Sequence, residues 1–270
     1  MITATTLEDA AKIASLDDVF DLEEAYLDWV KTEKRDDRRG VFHPSAVGGC
    51  ARRNVYEYIG TPRVFQDTAK DMEVFRLGHA IHDIVQTILG DLERVLTPKG
   101  IKYSFRAEVP YDRQMDLLYL DFGIGGTTDG ILELHSEKEG WSQRAILEVK
   151  SIKDKNFNGL REPKYEHQMQ ANLYAYRFDC PIIYYWYYNK DSSDRKVFKR
   201  KADDAVLNDA MSRFAAQRAH ADAGTLPERE ESFFICPRCE YGHVCKPQAL
   251  SHIQDKQRLA NVQRKGFGRQ

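Results

Sequence analysis

Two charged residues lie in a short stretch of sequence that otherwise has the composition of a buried strand. Residues 146–151 read ILEVKS. Side chains alternate between the two faces of a strand, which puts Leu147 and Val149 on one face, as a core would require. Glu148 and Lys150 then share the other face. A carboxylate beside an amine indicates either a solvent-facing strand or a site that binds charge.

A second carboxylate is expected opposite the first. TTDGILEL at 127–134 and QRAILEVKS at 143–151 flank the loop HSEKEGWS at 135–142, and the three segments predict a β-hairpin. Asp129 and Glu148 are equally distant from the centre of that loop. In a symmetric antiparallel register they would be cross-strand partners, with Cβ atoms about 4.5–5.5 Å apart.

This arrangement predicts a metal-and-phosphate site. Two carboxylates so close repel each other, and one would take up a proton unless a cation neutralised the pair. Mg²⁺ prefers oxygen ligands, and a bound divalent ion polarises a phosphate oxygen and lowers the pKa of a bound water. Lys150 would stabilise the charge that develops on the phosphate or position the water. The alternative is an exposed strand that carries Glu148 and Lys150 without a function.

Two helical segments bring further polar groups to this hairpin. RLGHAIH contains Gly78 and, four residues later, His82, with His79 as a competitor for the same role. A neutral imidazole can ligate a divalent ion and favours Mn²⁺ somewhat over Mg²⁺. Downstream, KYEHQMQANLYAY places three residues on one helix face, because their spacings are three and four. These are His167, Gln170 and Tyr174.

Cysteines form a second group of candidate ligands. The chain has five, an odd number that argues against a disulfide framework in an intracellular protein. Three lie within ten residues, Cys236, Cys239 and Cys245, and a fourth ligand would have to come from Cys50. For zinc, His243 is an alternative fourth ligand. The fifth, Cys180, is expected to be a buried apolar residue.

The elements that must position these residues alternate between helical and strand-like patterns. The predicted fold is α/β with a mixed central sheet flanked by helices. In the helix predicted over 68–96, one broad apolar side is expected from Phe75, Ile81, Ile84, Val85 and Ile88. Helices are predicted at 6–34, from Pro44, at 68–96, 164–178 and 202–222, and strands at 105–112, 117–124, 127–134, 144–151, 181–189 and 196–201.

Composition narrows the functional classes. The formal charge is −2, and residues 1–40 hold 11 Asp/Glu and 6 Lys/Arg, a net of −5, which leaves +3 for the remainder. This is not the strong basic signature of a dedicated nucleic-acid binder. No apolar run approaches the roughly 20 residues of a membrane span, and no secretory signal is evident. We therefore expect a cytoplasmic protein without a membrane partner.

The hairpin and helix motifs resemble the PD-(D/E)XK nuclease superfamily. The core motif of this superfamily is matched by Asp129 followed, after eighteen residues, by Glu148-x-Lys150. Thr128 occupies the position where the family often has proline. In RecB-type members, a Gly-x-x-x-His such as Gly78 to His82 supplies another metal ligand. The resemblance implies Mg²⁺ or Mn²⁺ held by His82, Asp129 and Glu148, with the main-chain carbonyl of Val149 as an extra ligand.

The downstream helix adds to the same resemblance. RecB-type nucleases carry Gln-x-x-x-Tyr just after the catalytic strand, and Gln170 and Tyr174 match it. By resemblance, Gln170 orients the lysine or the nucleic-acid backbone, and Tyr174 supports the site or stacks. An apolar helix face with one polar residue is the alternative, in which a buried Gln170 would still need hydrogen-bond partners.

The cysteines resemble the staple of iron–sulfur nucleases of the AddB, Dna2 and especially Cas4 types. In those nucleases a [4Fe–4S] cluster joins the two ends of the domain, which here implies four thiolate ligands. The surroundings of Cys50 fit, because Ser45, Arg53 and Tyr56 are similar to the family's start. Zinc and unligated thiols are the alternatives. The implied ligands are Cys50, Cys236, Cys239 and Cys245.

The resemblance covers about residues 45–245 and implies a function. We expect a metal-dependent deoxyribonuclease, an exonuclease that acts on DNA ends or single strands. We also expect three parts of the chain: an acidic helical extension (1–40), a RecB/Cas4-like nuclease domain with the cysteine staple (41–250) and a basic tail (251–270). The chain shows no Walker-type phosphate loop. It would therefore act with a helicase, recombination or integrase-like partner, or on DNA that is already single-stranded.

Two other functions fit the same residues. The first is a Cas4-like adaptor that binds DNA ends within a larger assembly, with cleavage secondary and the acidic extension docking a partner. The second is a sequence-specific restriction enzyme on the same core. A complete set of Asp129, Glu148 and Lys150 favours an active enzyme over the adaptor, because a binding module has no need of all three.

Overall fold

The computed structural model describes residues 21–32, 40–64, 69–110, 117–233 and 235–245. Its helices are α1 (Leu22–Thr32), α2 (Ala51–Tyr58), α3 (Ala69–Gly90), α4 (Glu93–Leu96), α5 (Leu117–Phe122), α6 (Asp154–Asn158), α7 (Tyr165–Arg177), α8 (Asp204–Asp222) and α9 (Gly242–Cys245), with 3₁₀ turns at Pro44–Ala46, Thr97–Lys99 and Cys236–Arg238. The strands are β1 (Ile101–Pro110), β2 (Thr127–Ser136), β3 (Trp141–Ile152), β4 (Ile182–Asn189) and β5 (Arg195–Lys201).

The five strands form one mixed sheet in the order β1-β2-β3-β4-β5. The pairs β1–β2, β2–β3 and β4–β5 are antiparallel, whereas β3 and β4 are parallel. The crossover between the parallel strands contains α6 and α7, as parallel pairing requires. The predicted α/β class, the mixed central sheet and the β2–β3 hairpin are confirmed.

Helices cover both faces of the sheet. On one face, α7 and α8 pack against Ile131, Ile146 and Ile183. On the other, Val85 and Leu89 of α3 pack against a second set of strand residues, Leu132, Ala145, Leu147 and Val149. The middle strand β3 is therefore buried on both sides, as central strands in such sheets are.

Two predicted elements differ from the structure. Residues 117–124 were expected as a strand, but Leu117–Phe122 is the helix α5, and Ile124 makes only an isolated bridge to Phe42. A short apolar run without alternation does not distinguish strand from helix, and leucine favours helix. The helix expected over 68–96 ends at Gly90 and resumes at α4. Of the helix expected over 6–34, only the part around α1 lies within the described residues.

The buried side of α3 also differs from the prediction. Ile81, Val85 and Leu89, spaced four residues apart, face the core. The other residues expected on that side are 43–48 % exposed; they are Phe75, Ile84 and Ile88. The helix has apolar residues around most of its circumference, so periodicity alone did not select the face that packs.

The chain divides into two compact units, residues 1–37 with 67–76, and residues 38–66 with 77–270. Within the smaller unit, Tyr26 Oη donates to Glu73 Oε1 at 3.0 Å, and the Arg76 guanidinium lies 3.8 Å from the Trp29 ring centroid. The larger unit contains the whole sheet. No helix in the described parts of the chain has the length and apolarity that crossing a membrane requires.

Candidate active site

Asp129 lies where the paired part of the β2–β3 hairpin ends. The last pair in the ladder is Gly130 with Leu147, so the register puts Asp129 opposite Glu148, one residue further on, as predicted. Asp129 Oδ2 accepts a hydrogen bond from the Val149 N–H at 2.7 Å. The carboxylate therefore continues the ladder between the strands and takes the position of a main-chain acceptor.

Helix α3 holds the other side of Asp129. His82 Nδ1 lies 3.3 Å from Asp129 Oδ1, whereas His79 is exposed. Burial lowers the pKa of His82, but the hydrogen bond and charge of Asp129 outweigh it, and the net pKa is raised. The structure thus brings His82 to the predicted carboxylate.

Gln86 and Glu108 also belong to this arrangement, and sequence reasoning missed them. Gln86 Nε2 donates to the Asp129 carbonyl at 2.9 Å and to Glu108 Oε1 at 3.0 Å. Glu108 has a φ of +51°, a left-handed conformation that is uncommon for a residue other than glycine. The available signal was the spacing of four between His82 and Gln86, which puts them on one helix face.

Glu148 is the most unusual residue of the site. It is 0 % exposed, and neither carboxylate oxygen has a hydrogen-bond partner within the described structure. Lys150 Nζ lies 2.6 Å from Glu148 Oε1, close enough for an ion pair but outside hydrogen-bond geometry. Desolvation by burial raises the pKa of Glu148 to about 7, the charge of Asp129 adds to the rise, and Lys150 opposes it.

Lys150 is held from two sides. Its Nζ donates to Gln170 Oε1 at 3.0 Å, in addition to the ion pair with Glu148. Burial lowers the pKa of Lys150, but the charges of Glu148 and Asp129 outweigh burial and raise it, so the ammonium stays charged. Gln170 is itself buried on α7, and its side chain therefore fixes the direction in which the ammonium points.

Tyr174 lies one turn after Gln170 and is also buried. Its hydroxyl is close to the main chain at Gly126, where an added Cβ would come within 3.1 Å of the oxygen. A side chain so enclosed supports the packing of α7 against the start of β2. This position fits the supporting role expected of Tyr174 better than stacking on a nucleobase.

His167, the third residue of the predicted α7 face, is fixed by the sheet. The Lys164 N–H donates to Tyr187 Oη at 3.0 Å, and that hydroxyl lies 2.7 Å from His167 Nδ1. Burial and the charge of Lys150 lower the pKa of His167 to about 3. The neutral imidazole then accepts from Tyr187, which leaves the ring proton on Nε2.

The main indication that these residues could bind a metal ion is the Glu148 carboxylate. A buried carboxylate without hydrogen bonds is destabilised in its charged form, and a bound cation would offset that cost. However, no three His, Cys, Asp or Glu side chains of the described ranges converge to hold a metal. Asp129 faces His82, Glu148 faces Lys150 without a hydrogen bond, and Val149 is fully buried.

The cysteine-rich segment, residues 235–245, packs against α2, which begins directly after Cys50. Arg53 Nη2 lies 2.8 Å from Glu240 Oε1, and the Tyr56 and Tyr241 rings stack with centroids 5.4 Å apart. Residues 235–245 therefore lie against the helix that follows Cys50.

The thiols of this region are free. Burial raises the pKa of Tyr56, and no three His, Cys, Asp or Glu side chains of the described residues, these cysteines included, form a group that could hold a metal. Cys236 is separately hydrogen-bonded, since its Sγ accepts from the Ser232 N–H at 3.3 Å. Cys180 is buried in the core, as expected.

Comparisons with known proteins leave the family open. No protein-family model and no curated protein matches the chain. The solved structure of SSO0001 is similar at a TM-score of 0.40 and 14 % identity, covering 83 % of this chain and 93 % of that one. An alkaline exonuclease, LHK-Exo from Laribacter hongkongensis, is similar at 0.43 and 13 %, covering 74 % and 93 %. Its complex with dAMP gives 0.43 and 13 %, covering 69 % and 90 %. Similarity this low assigns neither family nor activity.

Proposed function

We propose that the chain is a metal-dependent deoxyribonuclease of the PD-(D/E)XK type, similar to RecB and Cas4 nucleases, that hydrolyses phosphodiester bonds at DNA ends or in single strands. One observation carries the proposal: Glu148 is completely buried and its two oxygens lack hydrogen bonds, with a charged lysine beside it. A strand serving only as scaffold would have an apolar residue at this position.

The cost of burying Glu148 supports a role in binding a cation. A buried carboxylate without hydrogen bonds is expensive, and an ion pair with a single lysine rarely repays the desolvation of both charges. The neighbouring carboxylate of Asp129 adds repulsion, which the raised pKa of Glu148 reflects. A divalent cation between these groups would neutralise both, so the same site that is unfavourable without metal would be favourable with it.

In this proposal, Asp129, Glu148 and His82 would hold Mg²⁺ or Mn²⁺, with the Val149 carbonyl as a further ligand. A metal bound there would polarise a phosphate oxygen and lower the pKa of a bound water. Lys150 donates to the phosphate or to the attacking water, and Gln170 keeps its ammonium directed at the site. To bind the metal, Asp129 would either lose the hydrogen bond from the Val149 N–H or share one carboxylate oxygen between that N–H and the metal.

We further propose that Cys50, Cys236, Cys239 and Cys245 bind a [4Fe–4S] cluster, with zinc as the alternative. Support comes from the packing of residues 235–245 against the helix that follows Cys50. A cluster would close a loop of nearly the whole domain, whose entropy the unfolded chain otherwise retains. Iron and sulfide content after anaerobic purification, together with visible absorbance, distinguishes the two metals.

Release of nucleotides from end-labelled single-stranded DNA tests the nuclease proposal. The assay compares wild type, Lys150→Ala and the exposed neighbour Lys153→Ala, with Mn²⁺, Mg²⁺ or EDTA. Cleavage by wild type and Lys153→Ala, but not by Lys150→Ala or in EDTA, supports the proposal, and the 5′ and 3′ labels give the polarity. If no variant cleaves while all bind the labelled strand, the adaptor function replaces it.

A further inference from the structure

Strand β4 has two unlike aromatic faces. Tyr185 and Tyr187 are 1 % and 0 % exposed and belong to the core beneath α7 and α8. The intervening residues, Tyr184, Trp186 and Tyr188, lie on the opposite face and are only partly buried. The predicted strand is therefore fully buried on one side, whereas on the other its three rings pack against the second core cluster, beneath α3, with part of their surface still exposed.

The adjacent strand places cations beside those rings. Strand β5 reads RKVFKRK, five basic residues of seven with no acidic one. Its register puts Lys199 opposite Tyr184 and Arg195 opposite Tyr188, on the same face as the rings. Lys199 Nζ lies 5.6 Å from the Tyr184 ring centroid, within cation–π range. Lys201, opposite Ile182, extends the row.

The usual role of lysines on an edge strand accounts for only part of this pattern. Charged edges prevent sheets from pairing with other chains, and β5 is such an edge. That role accounts for the charges alone, and packing against the second core cluster accounts for the buried part of the three aromatic residues on the same face of β4 but not for the part that stays exposed. The ring-and-cation face, defined as Tyr184, Trp186, Tyr188, Arg195, Lys199 and Lys201, carries both.

Helix α3 borders this face with an apolar flank. His82 and Gln86 contact β2 and β1, so the opposite flank of the helix is turned toward β4. That flank bears Leu77, Ile84 and Ile88, which are exposed. The face therefore has an apolar wall on one side and a row of cations on the other.

We propose that the ring-and-cation face binds single-stranded nucleic acid. Bases stack on aromatic side chains without sequence preference, while cations neutralise the backbone. Side chains two residues apart on a strand are separated by about 6.6 Å, so Tyr184 to Tyr188 spans about 13 Å, enough for a few unstacked nucleotides. A duplex would present no open bases to these rings.

The face also leads toward the candidate active site, and this part of the inference rests on the proposed function. Tyr188 pairs with Ser151, the residue after Lys150, so the Tyr188–Arg195 end of the face lies at the same end of the sheet as the site. Glu148 and Lys150 themselves lie on the opposite face of the sheet, beneath α7. A strand bound along β4 would therefore have to pass around the end of β3 to bring a phosphate to these residues.

The proposal is tested by measuring how tightly fluorescent oligo(dT) and oligo(U) bind to proteins that are prevented from cleaving them. All proteins carry Lys150→Ala and are measured in EDTA by anisotropy over a series of salt concentrations. The charge variant is Lys199→Glu with Lys201→Glu, both exposed, and the stacking variant is Tyr188→Leu, which retains apolar bulk. The matched control, Lys99→Glu with Lys138→Glu, makes the same charge change at exposed sites outside the face.

The expected result is a loss of affinity of about tenfold or more in both test variants and little change in the control. The charge variant should also reduce the slope of log K against log salt by about 1.4, since each single-strand phosphate contact contributes roughly 0.7. Unchanged binding in both test variants overturns the proposal. So does a change in oligomeric mass without a change in binding, which would make the face an interface between copies. Cleavage of DNA by the wild-type protein is measured in a separate assay. A failure of the nuclease proposal can therefore be distinguished from a failure of the binding proposal.

Discussion

The end of the β2–β3 hairpin and the cysteine-rich segment are positioned by different means. Strand pairing fixes Asp129 and Glu148, and helices on both faces of the sheet hold His82 and Gln170 against them. Residues 235–245 instead rest on α2 through the Arg53–Glu240 ion pair and the stacked Tyr56 and Tyr241 rings, and they accept hydrogen bonds from Arg63 Nε and the Val64 N–H just after it. The first region has its geometry built into the sheet, whereas the second is held by contacts between loops and one short helix and would gain most from a cluster.

Glu148→Gln should produce the largest effect on the first region. The amide has the shape of the carboxylate but does not carry its charge, so we expect cleavage to fall by about 10³-fold or more as the metal is lost. Initial rates on labelled single-stranded DNA measure the loss, and Glu133→Gln, the same change at a half-buried carboxylate of β2 that pairs with Arg144, is the control. Retention of more than a tenth of the wild-type rate would contradict the role of Glu148.

The same substitution should alter the pH dependence of stability in metal-free protein. Burial raises the pKa of Glu148 to about 7, so between about pH 4.5 and 7 the folded state keeps a proton that the unfolded state releases. Stability from this group therefore falls as pH rises through that window. As the pH rises from 4.5 to 7, the free energy of unfolding of Glu148→Gln should therefore increase relative to that of wild type by on the order of 3 kcal/mol.

Urea unfolding in EDTA gives this difference directly. The lowered pKa of His167 acts with the opposite sign, because stability from that group falls as pH drops below about 6.5. Both proteins share His167, so its contribution cancels in the comparison. A difference that stays flat between pH 4.5 and 7 would mean that Glu148 is ionised at no cost.

Tyr241→Ala tests how weakly the second region is held. Its buried ring is stacked on Tyr56, and removing it should let residues 235–245 detach locally rather than unfold the sheet. In cluster-free protein we expect the thiols of Cys239 and Cys245 to react about 10- to 100-fold faster with a disulfide reagent. An unchanged labelling rate, or a rate that rises only with global unfolding, would show that other contacts hold the segment.

Arg53→Met should have the smallest effect. The Arg53 side chain is 38 % exposed, so its ion pair with Glu240 is screened by solvent and contributes about 1 kcal/mol or less. Thiol labelling should accelerate by no more than about fivefold, less than in Tyr241→Ala. A larger effect than that of the ring would reverse the proposed order of contacts.

The sequence predicted the arrangement of the hairpin because alternation and loop symmetry are local properties. The position of Asp129 opposite Glu148 follows from the distances to the centre of one short loop. The helix α7 was likewise predictable, since spacings of three and four define a helix face, whereas the contact between Gln170 and Lys150 was expected only from the resemblance to RecB-type nucleases.

Features set by tertiary packing could not be predicted in this way. Which side of α3 faces the core depends on the strands beneath it, and the prediction of Phe75, Ile84 and Ile88 was wrong. The complete burial of Glu148 required knowing that helices cover both faces of β3. Gln86 and Glu108 meet at Asp129 only because β1 pairs with β2.

Binding of Mn²⁺, followed by electron paramagnetic resonance, tests the central claim most directly, since the free ion gives a signal that binding diminishes. Wild type, Glu148→Gln and the control Glu133→Gln are titrated at pH 8, above the raised pKa of Glu148. We predict saturable binding near the protein concentration for wild type and control, and its loss in Glu148→Gln. Equal binding by all three proteins, or none by any, would contradict the claim that the buried Glu148 carboxylate is kept for a metal.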